Sequence, residues 1–213
     1  MKERSEPSLI GVVVYDGVEP IDIGGTVGVI SMATRVLPDL RYVVIAERKG
    51  AVRLASGLTI LADHDFASAP ACDVKIVTGG PGWREQTQND AMLRFLSGSD
   101  STLASVCTGA IILAASGRLA GKIATTRRKA VGSEKAAPLD VLSREMAAGA
   151  ACATAVVDDG GTVTSGGVSL AIDGTLYILG LLYGEEVRDE IASILEYDRA
   201  FAANRSALGH LRL

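Results

Sequence analysis

Thr102-Leu-Ala-Ser-Val-Cys107-Thr-Gly-Ala-Ile-Ile-Leu-Ala-Ala-Ser116 places a thiol where a short apolar strand must turn into an apolar helix. A cysteine at such a bend can be aimed out of the packed core. The free N–H groups and positive end of the following helix favour thiolate over thiol. The arrangement is a thiol version of the strand-turn-helix elbow that presents serine nucleophiles in hydrolases. Cys107 also fits a small buried apolar residue, the commonest fate of a free cysteine.

Three other stretches follow apolar strands, where ligands gather in an open parallel sheet. In Thr78-Gly79-Gly80-Pro81-Gly82 the glycines let backbone approach a ligand, and consecutive N–H groups could form an oxyanion hole. The same glycines would serve an ordinary turn, and the loop lacks the Lys-Ser/Thr ending of a phosphate loop. Asp16-Gly-Val-Glu19-Pro-Ile-Asp22 brings a carboxylate to the start of a helix, where it can assist a nucleophile or position a water. Asp22 equally suits a helix cap or first-turn acid, and Glu19 a solvated position. In Ser165-Gly166-Gly167-Val-Ser169 the glycines again allow close backbone approach, and Asp173 lies one turn into the following helix, to shape the site or to pack.

The two histidines, His64 and His210, follow no core strand, so a Cys/His dyad is not expected. No His/Asp/Glu cluster has zinc-ligand spacing, and no metal is expected. Three cysteines, at 72, 107 and 152, with no Cys-x-x-Cys pair fit neither a disulfide framework nor a thiolate zinc site, and point to a reducing, cytoplasmic setting.

The elements that must position these residues are legible as patterns. Leu9-Ile-Gly-Val-Val-Val-Tyr15, Tyr42-Val-Val-Ile-Ala46, Val74-Lys-Ile-Val-Thr78 and Leu103-Ala-Ser-Val106 are short apolar runs, as strands buried on both faces read. Helices are expected over 22–36 and over 89–96, the latter capped by Asn89 or Asp90. Strands alternating with helices predict a doubly wound α/β fold with a parallel sheet covered on both sides. Ser56 to Ala62 reads as an extended excursion at an edge. Asp158-Asp-Gly-Gly161 is a hairpin turn between strands over 152–157 and 162–165. Helices are expected over 169–182 and from 185 to about 197, with a short tail beyond.

At 213 residues and 48% hydrophobic content the chain can bury the core of one domain, expected over 9–213 after a disordered leader over 1–8. A formal charge of −4 gives no basic footprint, so neither nucleic acid nor a membrane surface is an expected partner. The first eight residues lack the apolar run of a signal peptide, and no apolar stretch reaches the length of a membrane span. A small molecule is the expected ligand.

Asp22 beyond the first strand, Thr78-Gly-Gly-Pro-Gly82, Ser105-Val-Cys-Thr-Gly109 and Gly117-Arg-Leu-Ala-Gly-Lys-Ile-Ala-Thr-Thr126 together resemble the DJ-1/PfpI superfamily, from about Leu9 to Tyr197. Within it the resemblance is to the isocyanide hydratase-like branch, which is also similar to the amidase-like sensor domain of AraC-type regulators. It implies a flavodoxin-like three-layer sandwich with a mostly parallel central sheet, of class I glutamine amidotransferase-like architecture. It further implies a homodimer and no cofactor, with Cys107 as nucleophile, Asp22 as the acidic residue, Thr108 as its hydroxyl-bearing neighbour, and backbone of Gly79 and Gly80 facing the thiol. Relatives often read Thr-Thr-His-Trp where this chain has Thr125-Thr126-Arg127-Arg128. Arg127 and Arg128 are expected at the surface, with an anionic ligand as the other reading.

The activity implied is a hydro-lyase: the Cys107 thiolate attacks the terminal carbon of an isocyanide, Asp22 activates the water that resolves a thioimidate, and an N-substituted formamide leaves. Glyoxalase or deglycase chemistry with Glu19 as the acid is the alternative enzyme. A ligand- or redox-sensing module is the alternative class, since an exposed low-pKa thiol oxidises readily.

Overall fold

A computed structural model of the chain describes residues 1–146 and 149–213. The first apolar run forms β1 (Ser8–Val13), almost wholly buried. A helical segment follows in three pieces: α1 (Pro20–Ile23), a π-helical stretch (Gly24–Gly28) and α2 (Val29–Ala33). It begins two residues earlier than expected because Pro20 takes the first helical position, where its missing N–H costs nothing. It ends at Ala33 rather than at 36.

β2 (Leu40–Ala46) is the second apolar run. The edge excursion is an antiparallel ribbon of β3 (Gly50–Arg53) and β4 (Thr59–Ala62), after which β5 (His64–Asp65) pairs with the end of β2. β6 (Val74–Val77) is buried throughout. A short α3 (Trp83–Gln86) precedes α4 (Asp90–Ser97), whose cap is Asn89, its side-chain oxygen accepting from the Ala91 and Met92 N–H groups.

β7 (Thr102–Val106) leads through Cys107 into α5 (Gly109–Ala115), which is buried over its first five residues. β8 (Ile123–Ala124), α6 (Pro138–Glu145) and β9 (Ala150–Ala151) lie between this unit and the hairpin of β10 (Val156–Asp159) and β11 (Thr162–Ser165). The strand expected from Cys152 starts only at Val156: Cys152-Ala-Thr-Ala155 is poor in the branched and aromatic residues that favour strands. α7 (Leu170–Tyr183), α8 (Glu185–Ile194), α9 (Asp198–Leu208) and β12 (His210–Arg212) complete the chain. The tail thus supplies a helix and an edge strand.

The main sheet has the order β12-β10-β11-β7-β6-β1-β2-β5. From β11 to β5 neighbouring strands are parallel, and β10 is antiparallel to β11. The α1–α2 segment, α7 and α8 pack on one face and α3 to α6 on the other, giving the expected three-layer α/β fold with a mostly parallel sheet. Of the residues 1–8 expected as a disordered leader, Ser8 opens β1 and Lys2 makes contacts of its own: its N–H donates to the Leu182 carbonyl and its ammonium pairs with Asp73 at 2.8 Å.

The register aligns the strand ends that matter. Val13 pairs with Val77, Val77 with Ser105, and Val106 with Ser165. The loops after β1, β6, β7 and β11 therefore open at one edge of the sheet.

Asp173 lies away from that edge. Its buried carboxylate accepts from Tyr197 Oη at 2.8 Å and Asn204 Nδ2 at 3.1 Å, tying α7 to the chain on either side of the start of α9. The reading of Asp173 as packing rather than site-shaping is the one this geometry supports. Burial lifts its pKa to about 6, and both donors favour the ionised form. Removing the phenol hydroxyl by Tyr197→Phe should cost about 1–2 kcal/mol in urea unfolding. The loss should be larger at pH 8, with the carboxylate ionised, than at pH 5.

Candidate active site

Cys107 takes φ +54°, a left-handed conformation for a residue with a Cβ, at a cost of about 1–2 kcal/mol. The strain is held by its backbone. The Cys107 N–H donates to the Gly166 carbonyl at 3.3 Å, and its own carbonyl accepts from Thr126 Oγ1 at 2.6 Å. The elbow read from the sequence is therefore present, although its thiol is only 3% exposed.

Asp22 is fully buried and does not cap its helix. Its Oδ2 accepts from the Gly79 N–H at 3.0 Å, while Oδ1 has no hydrogen-bond partner among the described residues. The Cys107 thiol is the neighbouring side-chain donor that stabilises the carboxylate. Burial dominates all the same and lifts the carboxyl to a pKa of about 7. Burial and the Asp22 charge also push the Cys107 thiol up to about 12, against the opposing pull of the Thr108 N–H, Arg127 and the Val168 N–H. The helix terminus does not by itself make the resting sulfur a thiolate, as the elbow alone suggested. Burial thus holds both the sulfur and the carboxyl toward their protonated forms.

The glycines read as ligand-facing have definite roles. A Cβ on Gly79 would lie 2.5 Å from the Thr108 nitrogen, 2.7 Å from Cys107 Cβ and 2.8 Å from Asp22 Oδ2, so only glycine fits between the two strand ends. The Gly79 and Gly80 N–H groups are already engaged, by Asp22 Oδ2 and by Thr108 Oγ1 at 2.9 Å. Gly166 supplies the carbonyl that holds Cys107, and a Cβ on Gly167 would lie 2.7 Å from Cys107 Sγ. Val168 follows at φ +62° and brings its own N–H toward Asp22 and Cys107. A valine in that conformation is not a turn signal, and the sequence pointed only to the glycines before it.

Above the thiol lies a cavity of about 440 Å³ whose walls include Glu19, Ile21, Trp83, Thr108, Val131 and Val168. Ile21, Val131 and Val168 are 45%, 57% and 40% exposed and form an apolar rim. Glu19 is half-buried, and its backbone N–H donates to the Gly79 carbonyl at 2.9 Å. Arg127 corrects the expectation of a surface residue. Its side chain is 12% exposed, lines the cavity and pairs with Glu134 at 2.6 Å. Arg128 does not line it.

No histidine lines the cavity among the described residues. His64 lies on β5, and His210 packs on Tyr177 and Phe201, with burial lowering its pKa to about 4. No group of three or more His, Cys, Asp or Glu is placed to hold a metal among the described residues, and no helix there is long and apolar enough to cross a membrane.

A strained elbow thiol, a buried carboxyl and a glycine turn on three neighbouring parallel strands agree with the family model that matches residues 9–180. The chain belongs to the DJ-1/PfpI family. It is 28% identical to the isonitrile hydratase of Pseudomonas putida over 194 residues, 88% of this chain and 78% of that one. A protein of Streptomyces lividans, described as uncharacterized and lying in the cpoL 5′ region, is 36% identical over 123 residues, 56% of this chain and 87% of that one. Among solved structures, a ThiJ/PfpI family protein from Pseudomonas syringae superposes with a TM-score of 0.77 at 24% identity, over 91% of this chain and 76% of that one.

The buried carboxyl makes stability depend on pH with a definite sign. A folded pKa of about 7 lies above the model-peptide value of 3.8, so the stabilising contribution is fully present below about pH 4 and is lost as pH rises through 7. Asp22→Asn should therefore raise the unfolding free energy more at pH 8 than at pH 4, by up to about 4 kcal/mol. Urea titrations at the two pH values measure it, and an equal effect at both would contradict the assignment.

Proposed function

We propose that the protein is a cysteine-dependent hydro-lyase that hydrates isocyanides to N-substituted formamides. The observation that carries this reading is the Asp22 carboxyl, held against the Cys107 thiol with a pKa of about 7. Such a group can take a proton and return it near neutrality, beside the cavity's left-handed elbow cysteine. The similarity to an isonitrile hydratase supports the same chemistry.

In this reading the Asp22 carboxylate accepts the thiol proton as sulfur attacks the terminal isocyanide carbon. The carboxyl then delivers that proton to the same carbon, leaving a thioimidate bonded to Cys107. The regenerated carboxylate draws a proton from a water that attacks the thioimidate carbon. The carboxyl gives that proton to the imine nitrogen; the hydroxyl of the tetrahedral adduct then becomes the formyl C=O as the C–S bond breaks, its proton returning through Asp22 to sulfur, and the formamide leaves. Water is added without net oxidation or reduction.

Every proton in the sequence passes through one carboxyl, and no amine is expelled. Amide hydrolysis differs because its leaving amine must be protonated, commonly by a histidine. The position that relatives often give to histidine holds Arg127, which cannot give up a proton near neutral pH. The apolar rim of Ile21, Val131 and Val168 suits the substituent on the isocyanide nitrogen.

Cys107→Ala should abolish formamide production from aryl and alkyl isocyanides followed by NMR, and Asp22→Asn should slow it at least about 100-fold. In the wild type kcat/KM should rise through pH 7 as Asp22 ionises. Oxygen from ¹⁸O-labelled water should appear in the formamide. Retained turnover in either variant would remove the mechanism. Conversion of methylglyoxal to lactate, lost in Glu19→Gln and kept in Asp22→Asn, would replace it with glyoxalase chemistry.

A further inference from the structure

The cavity holds a cation for which the hydration sequence above has no task. Arg127 follows Thr126, whose hydroxyl anchors the Cys107 carbonyl, and its stem runs beside the sulfur: a Cβ on Gly167 would lie 2.7 Å from both Arg127 Cβ and Cys107 Sγ. The guanidinium is held at two points. Nη1 donates to the Lys129 carbonyl at 2.5 Å and Nη2 to Glu134 Oε1 at 2.6 Å. Glu134 is itself fixed, its other oxygen accepting the Val131 N–H at 2.9 Å. Such a clamp around a nearly buried planar cation holds it in one position.

The other ionisable groups around the thiol have other roles. Asp22, from α1, opposes a thiolate by its charge, and Glu19, at the start of that helix, opposes ionisation of Asp22 by its own charge. Tyr15, after β1, is held protonated by burial and donates to the Thr78 carbonyl at 3.0 Å. Arg84, from α3, is exposed and stacked over the Trp83 ring at 4.5 Å. Glu134 is neutralised between Arg127 and Arg84. Among the described residues, that leaves Arg127 as the cation that acts on the sulfur.

We propose that Arg127, clamped by Glu134 and the Lys129 carbonyl, is the charge that makes the Cys107 thiolate attainable when Asp22 takes its proton. It stands where relatives often carry a histidine but supplies only the field and never the proton. The division of labour is then complete: a fixed positive charge on one side of the sulfur, a proton-accepting carboxyl on the other. This rests on the reading of Cys107 as the nucleophile and not on the identity of the substrate.

The test is the pH dependence of iodoacetamide alkylation at Cys107, followed by mass spectrometry of its peptide in the full-length protein. Arg127→Met should slow alkylation at least about tenfold from pH 7 to pH 10, which is a shift of the rate–pH profile up by at least about one pH unit. Arg127→Lys should recover most of the shift. Should the methionine variant fail to fold, Arg127→Gln, which keeps donors and loses the charge, reads the same quantity. A profile that overlays the wild type in the uncharged variants would overturn the proposal. So would an equal shift in Arg127→Lys and Arg127→Met, since charge would then not be the cause. The probe needs no substrate, so a protein that hydrates no isocyanide yet shows the shift loses only the hydratase reading.

Discussion

The site depends on keeping one carboxyl dry. Asp22 is fully buried; its Oδ2 accepts from the Gly79 N–H, and its Oδ1 has no hydrogen-bond partner among the described residues. A carboxylate in such a place is expensive unless it is neutralised, and here the expense appears as a pKa raised to about 7. What would be a defect in a structural residue is the property an acid/base group needs. The fold has to hold that carboxyl against the thiol and stop water from relaxing it. It does so by cross-bonding strand ends: Thr78 Oγ1 to the Val13 carbonyl at 2.8 Å, the Glu19 N–H to the Gly79 carbonyl at 2.9 Å, and the Gly80 N–H to Thr108 Oγ1 at 2.9 Å.

These bonds explain why the glycines after β6 are not an open anion hole. Their N–H groups are spent on fixing Asp22 and the threonine beside Cys107, so they set geometry and are not free to bind an anion. The donors that face the sulfur and the acid come instead from Thr108 and from Val168. Two non-glycine residues in left-handed conformations, Cys107 and Val168, therefore meet at the same point from different loops. Strain of this kind persists only where the surroundings over-determine it. Here the surroundings are the Gly166 carbonyl, the Thr126 hydroxyl and the close packing around Gly167.

What was legible in the sequence follows from which interactions are local. The buried strands, the elbow at Cys107 and the Asn89 cap are written in short runs of residue type, and they stand within a residue or two of where the pattern puts them. Asp22 and Glu19 could be named as candidate acids, but nothing local distinguishes a carboxyl that caps its helix from one turned inward to a glycine 57 positions away. Arg127 was misplaced for the same reason. Its burial comes from Glu134 and the 129–137 segment folding over it, and an arginine read by its type alone belongs at the surface. The last strand was missed because His210-Leu-Arg212 has no pattern of its own and becomes a strand by pairing with β10.

Charge balance across the cavity, in the mechanism proposed above, turns on the identity of residue 127. A histidine beside the thiol can hold the proton itself, so the nucleophile and its base form a pair and a nearby acid is free for a second task. An arginine cannot take part in that exchange, and in the proposed mechanism the thiol proton goes to Asp22 instead. The carboxyl must then be basic enough to accept it and still acidic enough to return it, which a solvent-exposed aspartate near 3.8 is not. In the proposed mechanism, burial of Asp22 and an arginine at 127 belong together: with no titrating cation at the sulfur, the acid has to be moved to neutrality. The fold moves it by excluding water, at a cost in stability that grows as the solution becomes more alkaline.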